Sequence, residues 1–363
     1  MFSKHKLEAG NIERIVVRGT NWVGDAVMTI PALRELRRIL PDAHITLATR
    51  SSTKALFDEA DFIDDLLVYD RFPRGVLSAI RQTKDWRARR FDLAVLLQNA
   101  FEAALIGFCA RVPARIGYST DGRGLLLTHP LAIPAWRGAR HEVFYYLNII
   151  SELEKLLNDE SDVMQREPVF DLTVSQKRRS EARELLVTNG AHLDRQLVAL
   201  CPGSTNSRAK RWPAERFAML ADKVIGESGA DVVLVGSADE KGVSENVAGL
   251  MQLTPVILTG RTDLAQAVAV LSLADVLVTN DTGPAHISAA LNRPTLVIFG
   301  PTDPVTTRPF STSSEVIRRP PDCAPCMLRD CPIDHRCMTA IVPDEVFVRV
   351  SALLKQHRVG AQV

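Results

Sequence analysis

The sequence predicts an α/β protein built from two doubly wound domains in series. Short apolar runs rich in Val, Ile and Leu alternate along the chain with helical patterns, which is typical of βαβ units and parallel sheets. The length of 363 residues exceeds what one hydrophobic core usually serves, so two domains are expected. Ligands of such sheets bind beyond the carboxyl ends of the strands, and two facing domains would enclose a cleft there.

Near-continuous apolar runs indicate strands that are covered on both faces. In the first half these runs lie at residues 15–18, 45–49, 66–69 and 93–97. In the second half they lie at 197–200, 232–235, 256–258, 276–279 and 295–299. Helical spacing of apolar residues predicts helices at 26–40, 142–157, 213–227, 239–250, 264–273 and 284–291.

The boundary between the two domains is expected within residues 164–176, where Pro168 and alternating polar residues interrupt the helical pattern. The predicted domains are therefore 1–168 and 169–342. A third segment, 343–363, looks helical and is able to cross back onto the first domain.

Composition excludes several classes of protein. The chain is 46% hydrophobic and 24% charged, which indicates neither disorder nor a fibrous repeat. Its net charge of +1 is too balanced for a broad nucleic-acid-binding surface, so no nucleic acid partner is expected. It has neither a secretory signal nor an apolar stretch of the roughly 20 residues that span a bilayer. We therefore expect a cytoplasmic protein, with attachment to a membrane surface left open.

The first candidate site is the turn after the first predicted strand, residues 18–25, which reads Arg-Gly-Thr-Asn-Trp-Val-Gly-Asp. It lacks the G-x-G-x-x-G spacing of dinucleotide folds, and Asp25 stands where a P-loop needs Lys. Two interpretations of Asp25 remain open. It is either a residue that favours the helix dipole at a helix start or a general base pointed into the cleft.

Two further loops follow strands in the second half. Residues 202–213 carry several hydroxyls and the cations Arg208, Lys210 and Arg211, which suits an anionic ligand such as a diphosphate, although a solvated basic loop has the same composition. Residues 279–286 read Thr-Asn-Asp-Thr-Gly-Pro-Ala-His and start a helix. Gly283 would leave backbone N–H groups free to hold phosphate oxygens there, and His286 lies in the first turn.

Four segments together resemble the ADP-heptose:lipopolysaccharide heptosyltransferases of glycosyltransferase family 9, and most of all the type II enzymes. They are residues 19–31, 210–213, 280–286 and 299–304, in that order. The resemblance implies a GT-B fold, in which two Rossmann-like doubly wound domains face an interdomain cleft. It also implies that the first domain binds the acceptor, that the second binds ADP-heptose, and that the anomeric centre is inverted without a metal or other cofactor.

Site residues are carried over by position. The resemblance implies that Asp25 is the catalytic base and that Lys210 is the cation beside the diphosphate. The expected donor-binding residues, including two hydroxyls of the second loop, are Ser204, Thr205, Glu240, Asp281, Thr282, Gly283 and His286. The expected acceptor-binding residues are Asn21, Trp22, Arg115 and Arg123. Pro284 stands where some members of the family have Leu, which leaves the local donor contacts open.

The reaction implied is the transfer of heptose from ADP-L-glycero-D-manno-heptose to the lipopolysaccharide inner core, adding heptose II to heptose I on a Kdo/heptose–lipid A acceptor. A type I heptosyltransferase or another nucleotide-sugar transferase stays open. A non-catalytic sugar-nucleotide-binding protein is disfavoured because Asp25 and Lys210 are both present. The missing G-x-G-x-x-G argues against a dehydrogenase.

A basic stretch in the first domain has two interpretations. Residues 71–90 contain one acidic residue, Asp85, and seven cations, Arg71, Arg74, Arg81, Lys84, Arg87, Arg89 and Arg90. The stretch is either a solvated helix face or a contact for anionic inner-core sugars or lipid phosphates at the inner membrane.

Four of the six cysteines form a cluster with the spacing C-x2-C-x4-C-x5-C, at Cys323, Cys326, Cys331 and Cys337. Such thiolates could hold a structural zinc ion or an iron–sulfur cluster, or remain free thiols or redox disulfides. The other two, Cys109 and Cys201, lie in apolar contexts and are expected to be buried.

Overall fold

The computed structural model describes residues 7–70, 75–192 and 194–360, with the side chains of 357–360 excepted. The chain divides into two compact units, Met1–Phe170 and Asp171–Val363. The division falls inside the segment 164–176 in which the sequence indicates a boundary.

The first unit is built on a parallel sheet of six strands in the order β3-β2-β1-β4-β5-β6. Its strands are β1 (Arg14–Arg18), β2 (His44–Thr49), β3 (Asp65–Val68), β4 (Leu93–Leu96), β5 (Ala114–Tyr118) and β6 (His129–Leu131). Its α-helices are α1 (Val23–Met28), α2 (Ile30–Ile39), α3 (Ser51–Lys54), α4 (Gly75–Arg89), α5 (Phe101–Cys109) and α6 (Glu142–Asn158). Two 3₁₀ helices span Ala9–Asn11 and Arg123–Leu126.

The second unit repeats this topology with a sheet in the order β12-β11-β10-β7-β8-β9. Its strands are β7 (Leu197–Cys201), β8 (Asp231–Leu234), β9 (Val256–Ile257), β10 (Val276–Asn280), β11 (Thr295–Phe299) and β12 (Ser314–Arg318). Its α-helices are α7 (Gln176–Thr188), α8 (Ala214–Ser228), α9 (Lys241–Leu250), α10 (Leu264–Leu271), α11 (Gly283–Ala290), α12 (Pro304–Thr307), α13 (Arg336–Thr339) and α14 (Pro343–Gly360). Two 3₁₀ helices span Arg208–Lys210 and Ala238–Glu240.

Each sheet reverses its strand order at one point, and that point positions the candidate sites. In the first unit β1 lies between β2 and β4, and in the second β7 lies between β8 and β10. The connections after β1 and β4, or after β7 and β10, therefore diverge to opposite faces and leave a crevice at the carboxyl ends of these strands. All four strands are almost entirely buried, so the crevices sit on rigid supports.

The single helix expected over residues 26–40 is two helices in the structure. α1 ends at Met28 and α2 begins at Ile30, with Pro31 in its first turn. Proline has no N–H to donate to the carbonyl four residues earlier and is tolerated only at a helix start, so the break follows from Pro31.

The C-terminal helix α14, for which the sequence suggested a return to the first domain, packs within the second unit. Val346, Val350, Leu353 and Leu354 are buried in the core that also contains Phe217 of α8. Among the described residues, no helix is both long enough and apolar enough to cross a membrane.

Candidate functional site

The first unit has a cavity of about 170 Å³ at the point where its strand order reverses. It is lined by the turn after β1, the loop after β4, and the start of α6 with the residues before it. The lining residues are Thr20, Asn21, Trp22, Asp25, Leu97, Gln98, Asn99, Arg137, Glu142, Tyr145 and Tyr146. The cavity thus contains Asp25, Asn21 and Trp22, which were expected on the acceptor side.

Asp25 lies in the first turn of α1, but Trp22 occupies the N-cap position of that helix. The carboxylate therefore benefits from the helix dipole without serving as the capping residue. Its negative charge adds to the effect of burial in raising the pKa of Tyr146 well above the usual value. Asp25 and Tyr146 therefore lie close enough within the cavity for their charges to interact.

Two buried polar atoms of the same turn lack a hydrogen-bond partner among the described residues. These atoms are Thr20 Oγ1 and Asn21 Oδ1. Buried polar atoms in folded proteins are nearly always hydrogen-bonded, so these two are suited to a bound ligand or water. The Trp22 ring beside them is largely exposed.

Sequence reasoning missed an ion pair on the opposite wall. Arg137 Nη2 lies 3.6 Å from Glu142 Oε1, and the guanidinium carbon lies 3.7 Å above the centre of the Tyr145 ring. Asn99 Nδ2 donates to Tyr145 Oη at 2.8 Å. Burial raises the pKa of Glu142, while Arg137 acts in the opposite direction. A cation shortly before the predicted helix 142–157 and a carboxylate at its first residue were the only signal available.

Arg115 and Arg123, which were expected to bind the acceptor, are not among the residues that line the cavity. Arg123 is fully buried and donates to the backbone oxygens of Tyr118 and Gln98 and, at 2.9 Å, to Asn99 Oδ1. Burial lowers its pKa to about 10. It thereby holds the loop that carries Asn99.

Arg115 lies at the amino end of β5, away from the carboxyl ends that line the cavity. Its guanidinium donates to the backbone oxygens of Leu126, at 2.7 Å, and Val112. Both arginines thus donate hydrogen bonds that hold loops in place. The sequence does not distinguish this role from acceptor binding, because a basic residue near a turn looks the same in either case.

In the second unit Asn280 joins the loops at the corresponding reversal point. Its buried side chain donates to the carbonyl oxygens of Pro202, at 2.9 Å, and Gly203, at 3.1 Å. Its Oδ1 accepts from the Trp212 backbone N–H at 3.0 Å. One amide therefore fixes both ends of loop 202–213 to the end of β10. The sequence motif contained Asn280, but sequence reasoning gave it no role.

Lys210 lies in the loop that Asn280 fixes to β10. Its Nζ donates to Asp281 Oδ2 at 2.8 Å and to the Asp281 carbonyl at 3.1 Å, and Thr302 Oγ1 donates to the same carboxylate at 2.7 Å. Asp281 is only 4% exposed, whereas about a quarter of the Lys210 side chain is exposed. Asp281 therefore positions the cation, and Lys210 presents it to the crevice.

The α11 helix begins beside this pair. Thr282 is its N-cap, Gly283 its first residue, and the Thr282 side chain makes no capping hydrogen bond to the helix. The first N–H groups of a helix carry partial positive charge and are suited to phosphate oxygens. His286 is buried in the helix. Lys210, whose charge is shared with Asp281, and the first N–H groups of α11 lie together at the carboxyl ends of β7 and β10, and we call this donor-rich site the positive corner.

Glu240 contacts loop 202–213 near the beginning of that loop. Its carboxylate accepts from the Ser237 backbone N–H at 2.9 Å, closing a capping box, and Thr205 Oγ1 lies 3.4 Å from its other oxygen. A Cβ at Gly203 would lie 2.3 Å from Glu240 Oε1, so this close approach requires glycine. Ser204 is buried, and its carbonyl accepts from Arg211.

Residues 320–337, named here the cysteine segment, brace the Lys210 loop from outside. The Ala209 N–H donates to the Arg329 carbonyl at 2.9 Å, and Ser207 Oγ donates to the same oxygen at 3.2 Å. His335 Nε2 lies 2.6 Å from the Ala209 carbonyl. The 3₁₀ helix that ends at Lys210 is therefore anchored to this segment on both of its backbone faces.

The cysteines themselves are free thiols in the structure. Cys337 is buried, and its pKa is raised first by burial and then by the proximity of Cys331, Cys326 and Cys323. Within the described residues, however, no three His, Cys, Asp or Glu side chains are arranged to hold a metal ion. The expected zinc or iron–sulfur ligand set is thus not assembled. Of the isolated cysteines, Cys201 is buried as expected, but Cys109 is exposed.

The basic stretch 71–90 is described only in part, since Arg71 and Arg74 lie outside the described residues. The rest falls on or just after α4, where Arg81, Lys84, Arg87 and Arg90 are exposed. Arg89 pairs with Asp65 at 2.5 Å. A mostly solvated basic helix face is therefore present.

Comparison with known proteins identifies the family. The family model described as glycosyltransferase family 9 (heptosyltransferase) matches residues 79–336. Lipopolysaccharide heptosyltransferase 2 of Escherichia coli K12 is 31% identical, with 95% of this chain and 99% of the relative covered. Lipooligosaccharide heptosyltransferase 2 of Haemophilus influenzae is 30% identical, with 84% and 88% covered.

The solved structure of E. coli ADP-heptose lipopolysaccharide heptosyltransferase II aligns with a TM-score of 0.82 and 26% identity, covering 95% of this chain and 99% of that one. The expected GT-B class with two Rossmann-like units is confirmed by this match and by the two parallel sheets. The chain therefore belongs to glycosyltransferase family 9, the heptosyltransferases.

Proposed function

We propose that this enzyme transfers heptose from ADP-L-glycero-D-manno-heptose to the lipopolysaccharide inner core, adding heptose II to heptose I with inversion at the anomeric carbon. The observation that carries the proposal is the positive corner of Lys210 and the α11 start at the reversal point of the second unit. A diphosphate fits it, and relatives named heptosyltransferase 2 match over nearly the whole chain.

On the donor side, Lys210 and the first N–H groups of α11 would bind the diphosphate. Both become more favourable as negative charge grows on the departing ADP, so they lower the barrier as well as binding the ground state. Asp281 and Thr302 keep Lys210 in place, and Asn280 keeps the loop in place. Glu240, Ser204 and Thr205 would contact the nucleoside or sugar, with His286 shaping the floor of the site.

On the acceptor side, Asp25 would take the proton of a heptose hydroxyl as its oxygen attacks the anomeric carbon. The new C–O bond forms while the bond to ADP breaks, and ADP leaves with its electron pair. Thr20, Asn21 and Trp22 would orient the acceptor sugar. Arg137 faces the same cavity and is suited to a carboxylate or phosphate of the acceptor.

No step of this reaction requires a divalent cation. The sequence contains no Asp-x-Asp pair to hold one, and Lys210 with the α11 dipole balances the diphosphate charge. A structural zinc ion or iron–sulfur cluster at the four clustered cysteines stays a prediction from their spacing.

We further propose that the enzyme works in the cytoplasm, at the inner face of the cytoplasmic membrane. The acceptor in the proposed reaction carries lipid A, which would keep it at that surface. Peripheral contact of the protein with the membrane follows from the need to reach it.

The test is transfer by the purified chain from ADP-heptose to two defined acceptors, one ending in Kdo and one ending in heptose I. Product only from the heptose-terminated acceptor, with opposite anomeric configurations in donor and product by NMR, is the expected result. Product from the Kdo-terminated acceptor would reassign the enzyme as a type I transferase. Preference for another nucleotide sugar would change the donor, and tight ADP-heptose binding without turnover would indicate a binding protein.

A further inference from the structure

The outer face of α5 in the first unit carries large apolar side chains that are exposed to solvent over a substantial fraction of their surface. Phe101, Leu105 and Phe108 are 47%, 38% and 49% exposed. Their spacing of four and three residues puts them on one side of the helix. The opposite side is ordinary core, since Ala103, Ala104 and Ile106 are buried. α5 is thus apolar on both faces, which a helix of a water-facing surface rarely is.

Neighbouring elements extend this face. The first turns of α4 expose Val76, at 77%, with Leu77 and Ile80, and the 3₁₀ helix Arg123–Leu126 exposes Leu125, at 82%. α5 contacts both elements. Trp86 of α4 and Ala104 of α5 are buried in one core cluster with Leu96 of β4, so both helices cover the same face of the sheet. We call the exposed side chains of α4, α5 and this 3₁₀ helix the apolar patch.

Cations flank the apolar patch. The second half of α4 and the residue after it expose Arg81, Lys84, Arg87 and Arg90, and Arg111 is exposed just after α5. The acidic residues on these helices, Asp85 and Glu102, are partly buried. Apolar and aromatic side chains bordered by Lys and Arg form the combination that binds the interface of an anionic bilayer, with the rings below the head groups and the cations against the phosphates.

We propose that the apolar patch and its flanking cations dock the enzyme onto an anionic phospholipid membrane. The alternative occupant, the same face of a second copy, would offer the flanking cations little opposite charge, since the acidic residues on α4 and α5, Asp85 and Glu102, are partly buried. A bilayer with anionic head groups instead offers the opposite charge. That the partner is a membrane rests on the proposed function, whose acceptor is lipid-anchored, whereas the patch itself is a feature of the structure.

The apolar patch adjoins the cavity that contains Asp25. The loop after β4 lines the cavity with Gln98 and Asn99 and then runs directly into α5 at Phe101. Arg123 binds this loop through Gln98 O and Asn99 Oδ1, so the loop and the 3₁₀ helix that carries Leu125 are joined. Docking by this face would therefore bring the cavity to the head-group level, where the sugars of a membrane-anchored acceptor begin.

The experiment measures co-sedimentation of the full chain with vesicles that contain no acceptor. Vesicles of phosphatidylcholine alone are compared with vesicles containing phosphatidylglycerol, at low and high salt. The apolar variant is Phe101→Ser, Leu105→Ser, Phe108→Ser, and the charge variant is Arg81→Ala, Lys84→Ala, Arg87→Ala. Each triple change is expected to weaken binding to the anionic vesicles at least about tenfold. High salt should weaken binding by the wild type but have little effect on the charge variant.

Matched controls carry the same kinds of change on the second unit, where exposed apolar and basic residues are also available. They are Met219→Ser, Leu250→Ser, Leu253→Ser for the apolar set and Lys177→Ala, Arg183→Ala, Lys241→Ala for the charged set. Both controls should bind anionic vesicles like the wild type. Circular dichroism and thermal unfolding check that all four variants are folded.

Equal binding by the patch variants and their controls would overturn the proposal, as would equal binding of the wild type to both kinds of vesicle. Loss of self-association in the patch variants, with no vesicle binding by the wild type, would assign the face to a second copy instead. Transfer to a soluble, lipid-free acceptor tests the proposed function separately. The apolar variant should retain that activity, so failure of docking and failure of the proposed function give different results.

Discussion

The two units share one topology but treat the polar groups at their reversal points differently. In the second unit the side chains of Asn280, Asp281 and Lys210 bond to one another's loops, so these three groups are organised without a ligand. In the first unit Thr20 Oγ1 and Asn21 Oδ1 are buried without a partner among the described residues.

This difference separates two tasks of recognition. A diphosphate presents the same charges in every turnover and is best met by donors that need no reorganisation. An acceptor sugar must be distinguished from its analogues, and a site whose polar groups are satisfied only by the right hydroxyls rejects those that lack them. We therefore expect changes in the first unit to affect turnover and acceptor choice, and changes in the second to affect ADP affinity as well.

The largest effect is expected from Asp25→Asn. Loss of a general base typically slows turnover by about 10²–10⁴-fold, and the amide keeps the shape of the side chain. ADP binding, measured by calorimetry, should be nearly unchanged because Asp25 belongs to the first unit. The control is Glu142→Gln, which removes the other carboxylate of the cavity. If Glu142→Gln slows turnover more than Asp25→Asn does, the base is Glu142.

Lys210→Ala should follow, weakening both ADP affinity and the rate. A charge-assisted hydrogen bond of about 1.5–3 kcal/mol corresponds to a roughly 10–150-fold loss of affinity. Lys177→Ala is the matched control, since Lys177 also pairs with a carboxylate, Glu181, but on an exposed helix. Normal ADP binding and normal turnover by Lys210→Ala would reduce Lys210 to a surface charge.

Removing Lys210 also leaves the buried Asp281 carboxylate without its cation, which by itself destabilises a protein. The double variant Lys210→Ala, Asp281→Asn separates the two effects. It should recover thermal stability relative to Lys210→Ala without recovering ADP affinity. Recovery of both would mean that the lysine acts only by neutralising Asp281.

The residues foreseen from the sequence are those at the ends of buried strands. Asp25 follows an apolar run in the first unit, as Lys210 and Asp281 do in the second. Because parallel strands end at one edge of a sheet, each residue could be placed at the edge of its own sheet without coordinates. Strands without an apolar run could not be predicted. β12 reads Ser-Glu-Val-Ile-Arg and β5 Ala-Arg-Ile-Gly-Tyr, so neither has the apolar run that identified the predicted strands.

The hydrogen-bond partners of individual side chains could not be predicted from the sequence either. Arg123 looks in the sequence like any cation near a turn, and only the fold shows that its donors are used by backbone oxygens inside the unit. Arg137, Glu142 and Tyr145 line the cavity only because the start of α6 lies at the ends of β1 and β4. That long-range placement has no local pattern in the sequence.

A smaller effect is expected at His335, which braces the Lys210 loop from the cysteine segment. Its φ of 58° is left-handed, a conformation that Asn tolerates better than Gln. In His335→Asn the left-handed backbone is tolerated, but the shorter side chain cannot reach the Ala209 carbonyl. In His335→Gln the longer side chain can donate a hydrogen bond to that carbonyl. Loss of one hydrogen bond should raise the KM for the donor roughly 2–10-fold, with the acceptor KM unchanged. If Asn retains the wild-type donor KM better than Gln does, the role of His335 is in the backbone turn alone.

Glu142 should show a still smaller effect, on stability rather than rate. Burial raises its pKa in the folded protein, so ionisation is less favourable there than in the unfolded chain. The wild type therefore loses stability as pH rises from the unfolded pKa through the folded one. Glu142→Gln should consequently unfold at a higher temperature than the wild type near neutral pH, with the difference shrinking below the unfolded pKa. A constant difference across that range would show that Arg137 fully compensates the charge.

No effect at all is expected from brief EDTA treatment, and this tests whether the preformed corner of the second unit is sufficient. Mg²⁺ or Mn²⁺ would need hard oxygen ligands, and the sequence has no Asp-x-Asp pair to supply them. The clustered cysteines offer soft thiolates, which suit zinc or iron–sulfur rather than the cations that assist diphosphate departure. Lys210 and the α11 start must then balance the negative charge of the leaving group alone.

Heptose transfer is measured before and after treatment, with elemental analysis of anaerobically prepared, untreated protein alongside. Bound zinc or iron with unchanged activity would assign the cysteines a structural role, and its absence would leave them as thiols. Activity that is lost to EDTA and restored by Mg²⁺ or Mn²⁺ would show that the positive corner needs a metal partner.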